Sequence, residues 1–456
     1  MKNNLTDGSV WKVLIRFTIP FLLSGVFQVL YGTVDIYFLG HFGSGASISG
    51  AASASQAMGM VTMAFMGLTL GGTVIIGHSV GAKDDETSAK ATGNMVLIFA
   101  GIAVLCTCIL ALGSDAINRA MQVPDEALGE ARSYMLICGI GSTFIMGYNV
   151  VSAILRGLGN SKAPLYFVGI SCIINIALDY VFVALLHMNA AGAAIATVIS
   201  QGLSLIIALL YIRRVKLPYP FGTRHLAPDR NIIRRILKIG IPSALQQLLV
   251  SFSFSLITAI TNTMGIAASA GAGVVGKAVD LCMMIPASFS NSITSVTAQN
   301  VGAGKPERAL KSMWYGTVFS LVFAIPYTLL GSLKPEWIIG LLSDEAAVIE
   351  QGARYLIPFS WDCILVSFVF CMNGYFNGLG KSIFTMAHNI STTFLVRIPI
   401  VWLMSRRIAG ATLFEVGLGT PAATFVSLVI CFAYLGIMKR KSVEAHKTSE
   451  NLLSGG

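Results

Sequence analysis

The chain has 456 residues, 55% of them hydrophobic and only 11% charged, with a mean hydropathy of +0.74. A soluble globular protein carries roughly 25% charged residues, so this composition excludes a water-soluble enzyme or binding module and makes the lipid bilayer the chain's first partner. The formal net charge of +10 is then a property of loops at a membrane, and no nucleic-acid partner is expected.

Bilayer-spanning helices need about 20 predominantly apolar residues, and runs of that kind recur from Val10 to Met438. They predict spans over 10–39, 46–77, 92–114, 131–156, 163–187 and 191–212. Six more follow over 237–264, 268–299, 312–332, 350–377, 383–404 and 416–438. Period-two alternation is missing, which argues against a membrane barrel. The first run is too long for a signal-peptide core and lacks a small-residue cleavage site, so it serves as the insertion signal itself. All eight cysteines fall within these spans, with no CxxC or Cys/His cluster. Neither a disulfide framework nor a structural metal nor any cofactor is expected.

Basic residues orient the chain. With both termini on one side, that side holds twenty-three of the 31 Lys and Arg, from Lys2 through Lys447, and the other side six. The basic side should be cytoplasmic. The densest segment, 213–238, reads as a loop between helices.

Comparison of the chain with itself shows a repeat. Val80-Gly81-Ala82 recurs as Val301-Gly302-Ala303, and Gly157-Leu158-Gly159 as Gly378-Leu379-Gly380, both shifted by 221. Pro20 and Gly43 match Pro242 and Gly265 at 222, and Thr197 through Ser200 resembles Thr424 through Ser427. These matches predict an all-α protein of twelve transmembrane helices in two six-helix parallel repeats. An N-terminal lobe covers 1–212, a cytoplasmic linker 213–236, a C-terminal lobe 237–438 and a cytoplasmic tail 439–456. An even helix number gives both copies the same orientation, related by an axis along the membrane normal.

Ionisable groups inside a bilayer cost about 2.5–3.5 kcal/mol at a helix centre and are functional candidates by default. Asp35, Asp179, Lys277, Asp362 and Arg397 stand out, with Asp280 one turn from Lys277. Asn175 and Asp179 are four apart and share one helix face; with Asp35 and Thr197 they are expected to line a pocket able to take a proton or a Na⁺ aided by amide and hydroxyl oxygens. The repeat acts as a control, because Ile257 and Ile400 stand at the equivalents of Asp35 and Asp179. Lys277 and Asp280 are spaced for an ion pair, structural or functional, and Arg397 is placed to neutralise an acid such as Asp362. Pro20 and Pro242 interrupt the helix that opens each repeat, making Pro20 either a hinge or a plain kink. Gln28, Tyr31, Asn149, Gln246 and Gln247, with Met58, Met60, Met63 and Met66, are available to line a substrate cavity.

These motifs, in this order, resemble the multidrug and toxic compound extrusion (MATE) family. The resemblance rests on Pro20…Tyr31…Asp35, the VGAK and QNVGAGKPERA turns, Leu155-Arg156-Gly157-Leu158-Gly159 and the Asn175…Asp179 pair. It implies cation-coupled export of amphiphilic, often cationic, organic compounds, with H⁺ or Na⁺ as coupling ion and no obligate protein partner. The chain is closer to the DinF-like branch, whose cation site resembles Asp35, Asn175, Asp179 and Thr197 here. It lacks the NorM-like acids of helices seven and ten, whose positions fall near Val250 and Val366. A lipid-linked precursor flippase is the alternative, but such proteins have extra spans and a strongly basic cavity. A membrane-embedded enzyme is the different-class alternative, and the chain shows neither HExxH nor paired Asp motifs. Without a Walker A motif, ATP does not drive transport within this chain.

Overall fold

The computed structural model describes residues 5–407 and 412–454; Lys2, counted above among the basic residues, and the last two residues of the tail lie outside them. Every helix or strand element among the described residues is helical. In chain order they are α1 (Val10–Phe42), α2 (Gly45–Gly81), α3 (Asp85–Ala120), α4 (Leu128–Ile140), α5 (Ser142–Gly157), α6 (Lys162–Asp179) and α7 (Asn189–Val215). There follow α8 (Arg230–Asn262), α9 (Ile266–Gly302), α10 (Pro306–Leu333), the short α11 (Pro335–Gly340), α12 (Ala346–Gly378), α13 (Ser382–Thr392), α14 (Ile398–Arg407), α15 (Leu413–Gly417) and α16 (Gly419–Ser454).

Local chemistry sets several of these boundaries. Ser44 and Ser47 form a reciprocal cap that opens α2, with backbone-to-hydroxyl distances of 2.8 and 3.1 Å. Asp84 accepts from the Thr87 amide at 2.9 Å, and Asp85 and Glu86 complement the start of α3.

Ten helices among the described residues are long and apolar enough to cross a membrane, and a bent pair makes an eleventh. That pair corrects the uniform span expected over 131–156: α4 and α5 meet at Gly141 with a bend of 50°. The break persists because α3 satisfies it, Thr107 Oγ1 donating to the Gly139 carbonyl at 3.0 Å and meeting Ser142 Oγ at 2.7 Å. The expected span 383–404 is likewise divided, by a π-helical turn over Thr393–Arg397, and α6 ends in another over Tyr180–Leu185. Pro20 and Pro242 do not interrupt their helices, since α1 and α8 run through both. Each proline lacks the amide for one backbone bond, and Ser24 Oγ donates to the Pro20 carbonyl at 2.7 Å.

Packing divides the chain into two compact units. The first comprises Met1–Leu248, Asn291–Tyr315 and Gly374–Ile383; the second comprises Leu249–Ser290, Gly316–Asn373 and Phe384–Gly456. In the first unit the loop after α7 docks on α3. Tyr219 Oη meets Thr92 Oγ1 at 2.5 Å, and the Asp229 amide donates to Asn94 Oδ1 at 2.8 Å.

The first unit also contains a crossing of α2 with the end of α9. The motifs that repeat at a shift of 221 are the ones that meet there. A methyl group on Gly81 would overlap the Gln299 carbonyl oxygen, and one on Gly302 the His78 carbonyl oxygen. His78 Nε2 lies 2.8 Å from the Gly378 carbonyl oxygen, while Gln299 Nε2 donates to the Gly157 carbonyl at 2.8 Å. His78 and Gln299 are repeat equivalents, as are Gly157 and Gly378, so the two bonds are images of one another. Residues 5–8 lie across this crossing. Leu5 exchanges backbone bonds with the Gln299 and Asn300 side chains at 3.3 and 3.2 Å, and Lys305 Nζ reaches Asp7 Oδ1 at 2.9 Å. That ammonium holds the Asp7 carboxyl below its usual range.

Candidate functional site

The first unit gathers two of the acids that the sequence singled out, Asp35 and Asp179. α1 presents Tyr31 and Asp35 four residues apart, on one face, and Asp35 is buried. Asp35 Oδ1 accepts from Asn175 Nδ2 of α6 at 3.3 Å, and its Oδ2 from Thr197 Oγ1 of α7 at 3.1 Å. Tyr134 of α4 adds a longer contact to Oδ2 at 3.5 Å. Asp179, fully buried, brings its carboxyl within hydrogen-bonding reach of Asp35.

The acceptors outnumber the donors. Among the described residues no donor faces either oxygen of Asp179, nor Asn175 Oδ1. Buried polar atoms are nearly always paired, so each such exception requires a reason. Three open oxygens beside a second carboxylate form a set of hard acceptors, suited to a proton or a small hard cation such as Na⁺. α6 changes to the π-helical turn one residue after Asp179, a distortion common at functional sites.

The structure therefore brings together Asp35, Asn175, Asp179 and Thr197. Tyr31 was expected on a cavity wall, yet its hydroxyl is committed here: it donates to the Thr197 carbonyl at 3.2 Å and meets Ser200 Oγ. Ser200 was not singled out, although its place one turn after Thr197 was a usable signal. Tyr134 had none, because α4 enters the cluster only through the bend at Gly141. The remaining cavity candidates do not join. Gln28 and Gln247 are exposed, Gln246 is half-buried, and Asn149 spends its amide on the Ile145 carbonyl at 2.8 Å.

Two expectations about the other charges need correction. Lys277 and Asp280 are both exposed on α9, and no ion pair joins them among the described residues. Arg397 and Asp362 are neighbours that feel each other's charge, but they form no direct bridge. The Arg397 guanidinium lies 4.8 Å above the Phe254 ring instead. Among the described residues no group of three or more His, Cys, Asp or Glu side chains is placed to hold a metal, and the eight cysteines are free.

Long apolar helices enclosing a buried pair of carboxyl groups are the mark of a polytopic membrane protein of the transporter class. The family model described as MatE matches residues 20–181 and again 242–403, and the chain belongs to that family, whose members are multidrug and toxic compound extrusion transporters rather than enzymes. Both limits of the second match lie 222 residues beyond those of the first, so the repeat read from scattered tripeptides extends through both halves. The chain is 28% identical over 436 residues to the probable multidrug resistance protein YpnP of Bacillus subtilis (strain 168), covering 95% of this chain and 96% of that protein. Its fold matches a solved MATE structure in the bent conformation with a TM-score of 0.92 at 20% identity, over 98% of this chain and 99% of that one. A MATE structure in the straight conformation matches with a TM-score of 0.89 at 22% identity, over 98% and 99%.

Proposed function

We propose that this protein is a cation-coupled antiporter that exports amphiphilic, often cationic, organic compounds by alternating access, using H⁺ or Na⁺ bound at Asp35 and Asp179. The observation that carries this reading is the Asp179 carboxyl, buried beside Asp35 with no donor of its own. Two carboxylates so deeply buried repel each other with little screening. A shared proton, or a Na⁺ held by Asp35, Asp179, the Asn175 carbonyl oxygen and the Thr197 hydroxyl, removes that repulsion.

Binding there acts on α1, which carries Asp35, against α6 and α7. Pro20 leaves one backbone bond unmade below the site and gives α1 a soft point. An ion shifts two conformations only by its differential affinity for them. A hundredfold difference supplies about 2.7 kcal/mol, enough to couple release of the exported compound to cation entry. Relatives named as multidrug resistance proteins support small organic substrates, and the positive-inside asymmetry supports cytoplasmic termini in a cell membrane. The test is efflux of a cationic dye from proteoliposomes under separately imposed Na⁺ and H⁺ gradients. Asp35→Asn and Asp179→Asn should each abolish gradient-driven efflux in folded, inserted protein, and full transport by the double variant would refute the assignment.

A further inference from the structure

Both limits of the second family match lie 222 residues beyond those of the first, so counterparts of the acid cluster are sought in the second repeat at shifts close to that value. Asp35 corresponds to Ile257, Asn175 to Arg397 and Asp179 to Val401, one residue beyond the Ile400 that the tripeptide shift of 221 suggested. Tyr134 corresponds to Tyr355 at 221, and Thr197 to Thr424 at 227. These counterparts assemble within the second unit. Ile257, Tyr355 and Val401 are buried in one cluster, and Arg397 lies beside Tyr355. Thr424 lies beside Asp362, which stands seven residues, two helical turns, beyond Tyr355 on α12.

The two clusters share a frame and differ in charge. The first repeat has two acids and no base, with its open atoms all acceptors. The second has apolar residues where those acids would stand, a guanidinium where Asn175 would stand, and one acid supplied from α12. Its open atoms are of both kinds: Asp362 Oδ1 on one side, Arg397 Nε and Nη1 on the other, each buried without a partner among the described residues. Around Arg397 the facing groups are Asp362, Tyr355 and the Phe254 ring. Asp362 faces Arg397, Thr424, Cys282 and Cys363. One fixed positive charge thus answers one fixed negative charge, and the pocket needs no mobile ion.

We propose that Arg397 is a tethered cation: it fills, in the second repeat, the role that a mobile cation fills in the first, with Asp362 as its counter-charge. The coupling ion then acts on the first repeat alone. Resting on the coupling site proposed above, this predicts that removing the guanidinium opens a second cation site at Asp362 and Thr424.

The experiment counts cations on purified full-length protein. Sodium chloride replaces choline chloride at fixed pH, and acid is titrated at fixed salt, with thermal stability and proton uptake per chain as readouts. The Asp35→Asn, Asp179→Asn double variant should lose the cation response, and adding Arg397→Asn should restore one equivalent per chain. A folded Arg397→Asn protein with no added equivalent overturns the proposal. Where Arg397→Asn does not fold, Arg397→Asn with Asp362→Asn decides: recovery of folding shows that Asp362 requires the guanidinium, and continued failure overturns the proposal. A response that survives the double acid variant sinks the first-repeat coupling site instead, a separate failure, because Arg397→Asn must still add one equivalent to whatever remains.

Discussion

Gly302→Ala tests whether the crossing of α2 and α9 closes the protein at that end. Its new methyl would overlap the His78 carbonyl oxygen, a backbone atom on a packed helix that cannot swing aside. The helices must part by about 1 Å to reach the shortest carbon–oxygen contact that packing tolerates. Such a displacement stretches both mirror-image bonds, His78 to Gly378 and Gln299 to Gly157, from 2.8 Å beyond hydrogen-bonding distance. Two bonds at about 1 kcal/mol each, with about 1–3 kcal/mol of overpacking, make the loss about 3–5 kcal/mol. Thermal unfolding in detergent should fall by several degrees, and dye efflux from proteoliposomes should fall with it. Gly101→Ala is the control: nothing lies within 4 Å of its added methyl, and helix propensity favours it by about 0.5–1 kcal/mol. If Gly302→Ala melts and transports like the parent protein, the close approach carries no energy and the crossing is not a closure.

Thr197→Val removes the hydroxyl 3.1 Å from Asp35 Oδ2 with little change of shape. A bond to a charged group is worth about 1.5–3 kcal/mol, so half-saturation of transport should move at least about tenfold. Its sign identifies the ion: Na⁺ loses a ligand and binds more weakly, whereas H⁺ binds more tightly because the ionised carboxylate loses a donor. No movement in either titration removes Thr197 from the site. Orientation is tested by Phe221→Cys in a Cys-less background, since Phe221 is exposed in the linker. An impermeant thiol reagent should label it only in inverted vesicles or broken cells, and labelling from outside intact cells reverses the topology.

Hydropathy, basic-residue bias and self-comparison were enough to read an all-α membrane fold built from a duplicated unit, because bilayer thickness fixes helix length and duplication leaves its mark at equivalent turns. The acids were legible for the same reason: a charge in hydrocarbon is costly enough that Asp35 and Asp179 stand out in a single sequence, and four-residue spacing already placed Asn175 with Asp179. The sequence could not show that Tyr134 reaches Asp35, since that contact depends on the bend at Gly141, and the bend depends on Thr107 of another helix. Nor could it assign Tyr31 to the acid cluster rather than a cavity wall, because the rotation of α1 is set by packing against α6 and α7. Spacing likewise allowed a Lys277–Asp280 pair that the folded chain leaves unmade. A sequence states which groups are expensive to bury and how far apart they lie along one helix. Which helix supplies the partner is decided only when side chains from distant segments compete for the same space, and that competition exists only in the folded protein.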